Sequence, residues 1–327
     1  MQIYFHNHSA DAAAPLTEGE WQRHAQGLRP EGRPLFGSDP AQFRIHAPQV
    51  EVLVASPMGI RDLLPLATPH LRLLFVTWAG LDRLAPYDWV PPGVIVLNNS
   101  GAHALKAAEY VVMGMLMLKN SMPALARAQA EHRWIPAVGR TLAGGHLVVV
   151  GLGAIGGATA TLARKVGMRV TGVRSTPRPH PDCEVVVGLD ALDAVLPTAD
   201  FVALALPHSP STHHLLDRRR LALLPARAGI VNVGRGRTID EAAMCDLLEA
   251  GRLAGAVLDV FEEEPLPPAY RAWTTPNLVV TPHMSADDPD TVNDATIEIL
   301  VRNLVAWQRG EPLPNEFDLV RGTRVRA

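Results

Sequence analysis

Ten short apolar runs, separated by helix-favouring stretches, constrain this chain more than any other feature of its sequence. They are Ile3–Phe5, Val50–Ala55, Leu71–Val76, Val94–Leu97, Leu147–Val150, Arg169–Val173, Phe201–Leu206, Gly229–Val233, Leu253–Leu258 and Leu278–Thr281. Strands alternating with helices read as parallel sheet with crossover connections. Parallel strands covered by helices on both faces carry continuous apolar runs, and Val148–Val150 and Phe201–Leu206 are of that kind. The class expected is α/β, and 327 residues suffice for two domains.

The fifth run leads into Gly151-Leu152-Gly153-Ala154-Ile155-Gly156, and a helix is predicted from Gly157 to Val166. Strand, G-x-G-x-x-G turn and helix in that order form the phosphate-binding start of a dinucleotide site. Gly151 permits the tight turn, Gly153 lets the backbone approach a pyrophosphate, and Gly156 lets helix and strand pack closely. The helix N-terminus adds free N–H groups and a partial positive charge. Ala154 and Ile155, between the glycines, belong to the same site. At the end of the next strand, roughly twenty residues on, an NAD-binding unit usually places an acid for the ribose diol. Here Arg174 stands in that position, followed by Ser175, Thr176 and Arg178. A guanidinium with nearby hydroxyls offers charge-assisted donors to a 2′-phosphate, which a carboxylate would repel. The expected cofactor is NADP, with NAD bound at lower affinity.

Because the turn falls near mid-chain, the residues before it and the tail after it need a second domain. Ala104–Leu118 is helix-favouring and apolar on nearly every side, which predicts burial all round. A helix bridging two domains or packing on a second subunit would satisfy it, and Met113, Met115 and Met117 fit core packing. Asp290–Gln308 has apolar residues at helical spacing and offers a second crossing between domains. Pro177, Pro179 and Pro181 mark an extended surface loop. Trp134 and the Glu131–Arg133 segment before it read as structural, or as part of a dimer interface.

A formal net charge of −3 offers no basic face for nucleic acid, and no polybasic segment suggests an anionic membrane. The partner expected is a small molecule or another protein. Cys183 and Cys245 belong to no disulfide or metal spacing, a cytoplasmic habit. The first twenty residues carry His6, His8, Asp11 and Glu18 in place of the basic and apolar regions of a secretory signal. The longest apolar run, Tyr110–Leu118, is well short of the roughly 18 residues that suggest a bilayer span. His6 and His8 flank Asn7, and His213 and His214 are adjacent, yet neither spacing is a ligand pattern and no metal is expected.

Reduction of a 2-keto acid needs a cation to grip the substrate, a proton donor at the carbonyl oxygen and a group that keeps the donor protonated. The second half offers one of each, directly after expected strands: Arg235 in Asn232–Gly236, Glu264 in Asp259–Pro267, and His283 in Thr281–Ser285. The carboxyl ends of strands are where α/β sheets bind ligands, so three complementary groups share one edge.

These segments resemble the D-2-hydroxyacid dehydrogenase family, in its NADP-preferring glyoxylate/hydroxypyruvate reductase-like branch. The resemblance rests on the glycine turn, Asn232–Gly236, the Gly255–Phe261 run leading to Glu264-Pro265, and Thr281-Pro282-His283. Upstream it takes in Trp78–Asp82, Asn99–His103 and Ala108-Glu109, and it ends at Gly310 with Pro312–Asn315; the start of the chain is matched by strand pattern alone. The fold it implies is α/β with two Rossmann-like, doubly wound parallel domains. The cofactor domain, 102–287, is inserted into a flavodoxin-like substrate domain, 1–101 with 288–327. By position, the resemblance makes Arg235, Glu264 and His283 the catalytic residues. It implies that the substrate carboxylate meets backbone N–H groups around Ala79 and Gly80 and is shared with Arg235. Leu206, Pro207, Thr212, Val233 and Asp259 would line the cofactor. His283 would protonate the carbonyl oxygen as hydride arrives, with Glu264 favouring its imidazolium form. A homodimer is implied as well.

Two departures stand out: Arg174 in place of the cofactor acid, and Met284-Ser285-Ala286 followed by Asp287 and Asp288 after the histidine. The function expected is NADPH-dependent reduction of a small 2-keto acid to a D-2-hydroxy acid. The alternative is a cofactor-sensing interaction protein like the corepressors of the same scaffold. Phosphoglycerate dehydrogenase is disfavoured by the short sequence after Asn315. Formate dehydrogenase is disfavoured because formate oxidation needs no proton donor and normally uses NAD.

Overall fold

The structure, a computed structural model, describes residues 1–9, 14–26, 28, 34–81, 84–286, 288–320 and 322–325. Asp11, Asp82 and Asp287, named above, lie outside them. The strands are β1 (Ile3–His6), β2 (Leu35–Gly37), β3 (Val52–Ala55), β4 (Leu73–Val76), β5 (Ile95–Asn98), β6 (His146–Val150), β7 (Arg169–Val173), β8 (Val185–Val187), β9 (Phe201–Leu204), β10 (Gly229–Asn232), β11 (Gly255–Leu258), β12 (Leu278–Val280), β13 (Phe317–Asp318) and β14 (Thr323–Arg324). The α-helices are α1 (Glu18–His24), α2 (Pro40–His46), α3 (Pro57–Leu63), α4 (Ala104–Lys119), α5 (Met122–Ala130), α6 (Ala154–Lys165), α7 (Leu192–Val195), α8 (Arg218–Leu221), α9 (Glu241–Glu249) and α10 (Val292–Gln308).

The chain divides into two compact units, Met1–His103 with Asp288–Ala327, and Ala104–Asp287. The two-segment unit holds a parallel sheet of order β2-β1-β3-β4-β5, the flavodoxin-like order. Ile3, Phe5, Val52 and Val54 pack on one face with Ile297, Leu300 and Leu304 of α10. Tyr4, Leu53, Ala55, Leu74 and Val76 fill the opposite face with Phe43 and Ile60. The larger unit holds a parallel sheet of order β12-β11-β10-β9-β6-β7-β8, a Rossmann arrangement in which the strand order reverses between β6 and β9. Val148 and Val150 face one cluster and Leu147 and Val149 the other, which is why the β6 run is apolar throughout. The fold is α/β with two Rossmann-like domains, one inserted in the other. Among the described residues, no helix is long and apolar enough to cross a membrane.

Three sequence expectations need correction. The helix after the glycine turn starts at Ala154, not Gly157, because Gly156 must already be helical to lie against the turn. The second concerns α4, which is not buried all round. Its Ala107, Ala108, Val111, Gly114 and Met115 face inward, with Gly114 seated on Val231 and Val257 of the sheet. Leu105, at 62% exposure, Met113 and Leu116 emerge at the surface. Of the three methionines assigned to the core, Met115 alone is buried. Finally, Trp134 is 98% exposed in a segment without helix or strand, so it is not a structural residue of this chain.

Candidate active site

Strand register builds the site before any side chain is considered. In the larger unit Val173, Val150, Leu204, Asn232, Leu258 and Val280 lie opposite one another across six strands. The residues that follow, Arg174, Gly151, Ala205, Val233, Asp259 and Thr281, therefore leave the sheet side by side at its carboxyl edge. That edge lies outside the strand ends at a topological switch point, where open α/β sheets bind ligands.

At the turn, Gly151 has φ 98°, and a Cβ on Gly156 would fall onto the Gly151 carbonyl oxygen. Both positions are closed to any other residue. Nothing lies within 4 Å of a Cβ placed on Gly153, and no side chain caps α6, whose N-cap is Gly153. The helix thus opens with its first N–H groups available to a ligand. Beyond β7, Ser175, Thr176 and Arg178 are exposed and Arg174 is half-buried. Burial, and then the neighbouring Arg178 charge, hold the Arg174 guanidinium below its usual value. Leu206, Thr212 and Val233 are buried and Pro207 is exposed. The Thr212 hydroxyl donates to the Pro207 carbonyl at 2.9 Å and accepts the Ser209 N–H at 2.7 Å, stapling that loop.

The structure brings His283 and Glu264 together. The His283 Nδ1–H donates to Glu264 Oε2 at 2.8 Å, with the two side chains 43% and 23% exposed. The other carboxylate oxygen accepts the Phe261 N–H at 3.0 Å. A carboxylate can only accept, so Nδ1 keeps its proton and Nε2 is the nitrogen left to exchange one with a ligand. His283 itself sits at φ 55°, a left-handed conformation costing about 1–3 kcal/mol in a residue of this kind.

What holds it there is Asp259, fully buried. Its carboxylate accepts the Thr281 hydroxyl at 2.6 Å, the Met284 N–H at 2.9 Å and the Ser285 N–H at 2.8 Å. Tyr110 of α4 meets the Thr281 hydroxyl at 2.5 Å. This loop-anchoring part was not read from the sequence, which gave Asp259 to the cofactor and Tyr110 to an apolar helix. Arg235 is half-buried on the loop after β10. Asn232 pins that loop by accepting the Gly234 N–H and donating to the Arg235 carbonyl, and an Arg235 guanidinium nitrogen donates to the Gly234 carbonyl at 2.8 Å.

In the two-segment unit, Ala79 and Gly80 are half-buried on the loop after β4. Among the described residues, no group of three or more His, Cys, Asp or Glu side chains is placed to hold a metal ion. His8 meets Asp62 at 3.1 Å, and His214 meets Glu262 at 2.7 Å.

Residues 112–285 match the family model described as D-isomer specific 2-hydroxyacid dehydrogenase, NAD binding domain. This chain belongs to the D-isomer specific 2-hydroxyacid dehydrogenase family. A glyoxylate reductase of Korarchaeum cryptofilum is 31% identical over 255 residues, 76% of each chain. The structure of a family member from Xanthobacter autotrophicus Py2 in complex with NADPH and MES matches 98% of this chain and 99% of that one. Its TM-score is 0.78 at 29% identity. An NADPH-dependent glyoxylate/hydroxypyruvate reductase from Sinorhizobium meliloti, in complex with NADP and sulfate, matches over 98% and 99% with TM-score 0.78 at 25% identity. Membership makes the chain an oxidoreductase of the 2-hydroxyacid dehydrogenase class.

Proposed function

We propose that this enzyme reduces small 2-keto acids, glyoxylate and hydroxypyruvate among them, to D-2-hydroxy acids with NADPH. The observation that carries the reading is the His283–Glu264 hydrogen bond of 2.8 Å at the sheet edge that also bears the glycine turn. The residues around that turn fit a dinucleotide, since the open space at Gly153 and the uncapped start of α6 admit a pyrophosphate. Bound there, the reduced nicotinamide supplies hydride to the substrate carbonyl carbon. His283 donates its Nε2 proton to the carbonyl oxygen, and Glu264 orients the ring through its Nδ1–H. Arg235 pairs with the substrate carboxylate, which also meets the backbone N–H groups of Ala79 and Gly80. Leu206, Pro207, Thr212, Val233 and Asp259 border the cofactor. In the oxidative direction His283 is the base.

Arg174, with Ser175, Thr176 and Arg178, meets the 2′-phosphate and sets the preference for NADPH over NADH. The two family members solved with NADPH and NADP support this. We further propose a homodimer. Met113, Leu116, Met117, Met122 and Val166 border an apolar groove of about 700 Å³ on α4, α5 and α6, and an exposed apolar patch of this kind marks an association surface. Sedimentation at micromolar concentration should give twice the chain mass.

The deciding experiment follows NADPH and NADH oxidation over glyoxylate, hydroxypyruvate, phenylpyruvate and branched 2-keto acids. Turnover of the smallest acids with NADPH favoured is expected. Comparable or better rates with NADH would sink the Arg174 assignment. Tight cofactor binding with no turnover of any acid would sink the reductase and favour a cofactor-sensing interaction protein.

A further inference from the structure

We infer that Asn98 and Asn99 hold the loop after β4 as a backbone cradle, in which the N–H groups of Ala79 and Gly80 receive the substrate carboxylate. The inference rests on the keto-acid reading above and assigns the positioning residues behind it. Three consecutive carbonyls of the loop are engaged from one side. The Thr77 carbonyl accepts Asn99 Nδ2 at 2.9 Å, the Trp78 carbonyl accepts the Asn99 N–H at 3.0 Å, and the Ala79 carbonyl accepts Asn98 Nδ2 at 2.7 Å. A trans peptide unit is planar, so its N–H points opposite to its C=O. Fixing those carbonyls therefore turns the N–H groups of Trp78, Ala79 and Gly80 away from the asparagines. Among the described residues none of these three N–H groups has an acceptor. Successive N–H groups facing one way form a concavity for an anion.

The asparagines are themselves braced. Asn98 is 3% and Asn99 0% exposed. The Asn98 N–H donates to the Asn315 carbonyl at 3.1 Å, and Asn99 Nδ2 also reaches the Thr296 hydroxyl at 2.8 Å. Asn315 in turn exchanges two bonds with Asn303 of α10, at 3.1 and 2.9 Å, and donates to the Ser100 carbonyl at 2.8 Å. The Asn99 amide oxygen has no partner among the described residues, so this side chain serves through its donors. Every group of the brace is neutral, which suits a neighbour of an incoming carboxylate.

The test uses oxamate, a keto-acid analogue that cannot be reduced, and enzyme labelled with ¹⁵N-alanine and ¹⁵N-glycine in the presence of NADPH. Oxamate is expected to shift the Ala79 and Gly80 amide resonances. Asn98→Ala should raise the oxamate concentration required, and the glyoxylate KM, by about tenfold or more, the worth of a charge-assisted hydrogen bond. Both kcat and the NADPH affinity should change far less. Reduction of glycolaldehyde, which lacks the carboxylate, should be nearly indifferent to the substitution. Asn98→Ser, too short to reach Ala79, replaces Asn98→Ala if the latter does not fold. Equal losses for glyoxylate and glycolaldehyde, or turnover of glyoxylate without any shift at Ala79 and Gly80, overturn the cradle. If the enzyme reduces no keto acid but Asn98→Ala still weakens oxamate at Ala79 and Gly80, the reductase reading fails and the cradle stands.

Discussion

The loop that carries His283 and the loop that carries Ala79 and Gly80 both leave the carboxyl edge of a parallel sheet, yet they are held by opposite chemistry. In the larger unit a buried carboxylate does it, Asp259 gathering Thr281, Met284 and Ser285, with Glu264 on the His283 ring. In the two-segment unit neutral amides do it, Asn98 and Asn99 taking three successive carbonyls. The roles proposed for the two loops account for the difference through the charge each would handle. Negative charge beside an imidazole favours its protonated form. A carboxylate about 8 Å from an incoming carboxylate would cost about 2 kcal/mol at an effective dielectric constant of about 20.

The sharpest way to break this comparison is to remove the group that the carboxylates serve. His283→Ala is expected to lower kcat for glyoxylate by a factor of about 10² to 10⁴, the usual worth of a positioned general acid. NADPH affinity, read by fluorescence titration, should hardly move. Near-normal turnover would mean that the proton comes from elsewhere and that Glu264 and Asp259 orient a bystander. A smaller effect is expected for Asp259→Asn, which keeps the shape but offers one acceptor oxygen where two now serve three donors. Loss of a hydrogen bond to a charged acceptor costs about 1.5–3 kcal/mol. The urea midpoint should fall accordingly, and kcat should drop by about tenfold as the φ 55° conformation of His283 loses its support. An unchanged kcat beside a lowered midpoint would reduce Asp259 to a structural residue.

How much of this was legible beforehand depended on whether a property is local. The ten apolar runs became strands because continuous burial leaves its mark on each segment by itself. The edge strands β2 and β8 went unread: Leu35–Gly37 and Val185–Val187 are short, whereas β12, equally short, was read within the longer run Leu278–Thr281. Gly151 and Gly156 could be read because backbone approach leaves no substitute for glycine. His283, Glu264 and Arg235 could be named because each follows a strand. Their supports could not: Asp259, Thr281 and Tyr110 meet only when α4 and two strands converge. Asn98 and Asn99 looked like part of a matching motif, and the carbonyls they take lie 19 and 22 positions away. The apolar composition of α4 left open whether its burial comes from the chain's own core or from a second subunit, and in this chain Leu105, Met113 and Leu116 lie exposed.

The smallest expected effect tests whether the larger unit carries its buried carboxylates at a cost in stability. Glu241, at the start of α9, is 3% exposed. Its oxygens accept the Glu262 N–H at 2.7 Å and the Tyr270 hydroxyl at 2.8 Å, steadying the segment that leads to Glu264. Burial pushes its carboxyl above the usual range, more than these two bonds pull it down. A carboxyl raised on folding contributes stability that is full below its unfolded value of about 4.3 and is lost as pH rises through the folded value. Glu241→Gln keeps an oxygen for Glu262 and can turn its amide N–H to the Tyr270 oxygen, but it does not titrate. The variant should therefore gain on the wild type as pH rises from 5 to 8, as read from urea midpoints at the two values. Its kcat should stay close to normal because the Glu262 anchor survives. A gap independent of pH would show that Glu241 titrates as if exposed, and the cost of charge anchoring would then rest on Asp259 alone.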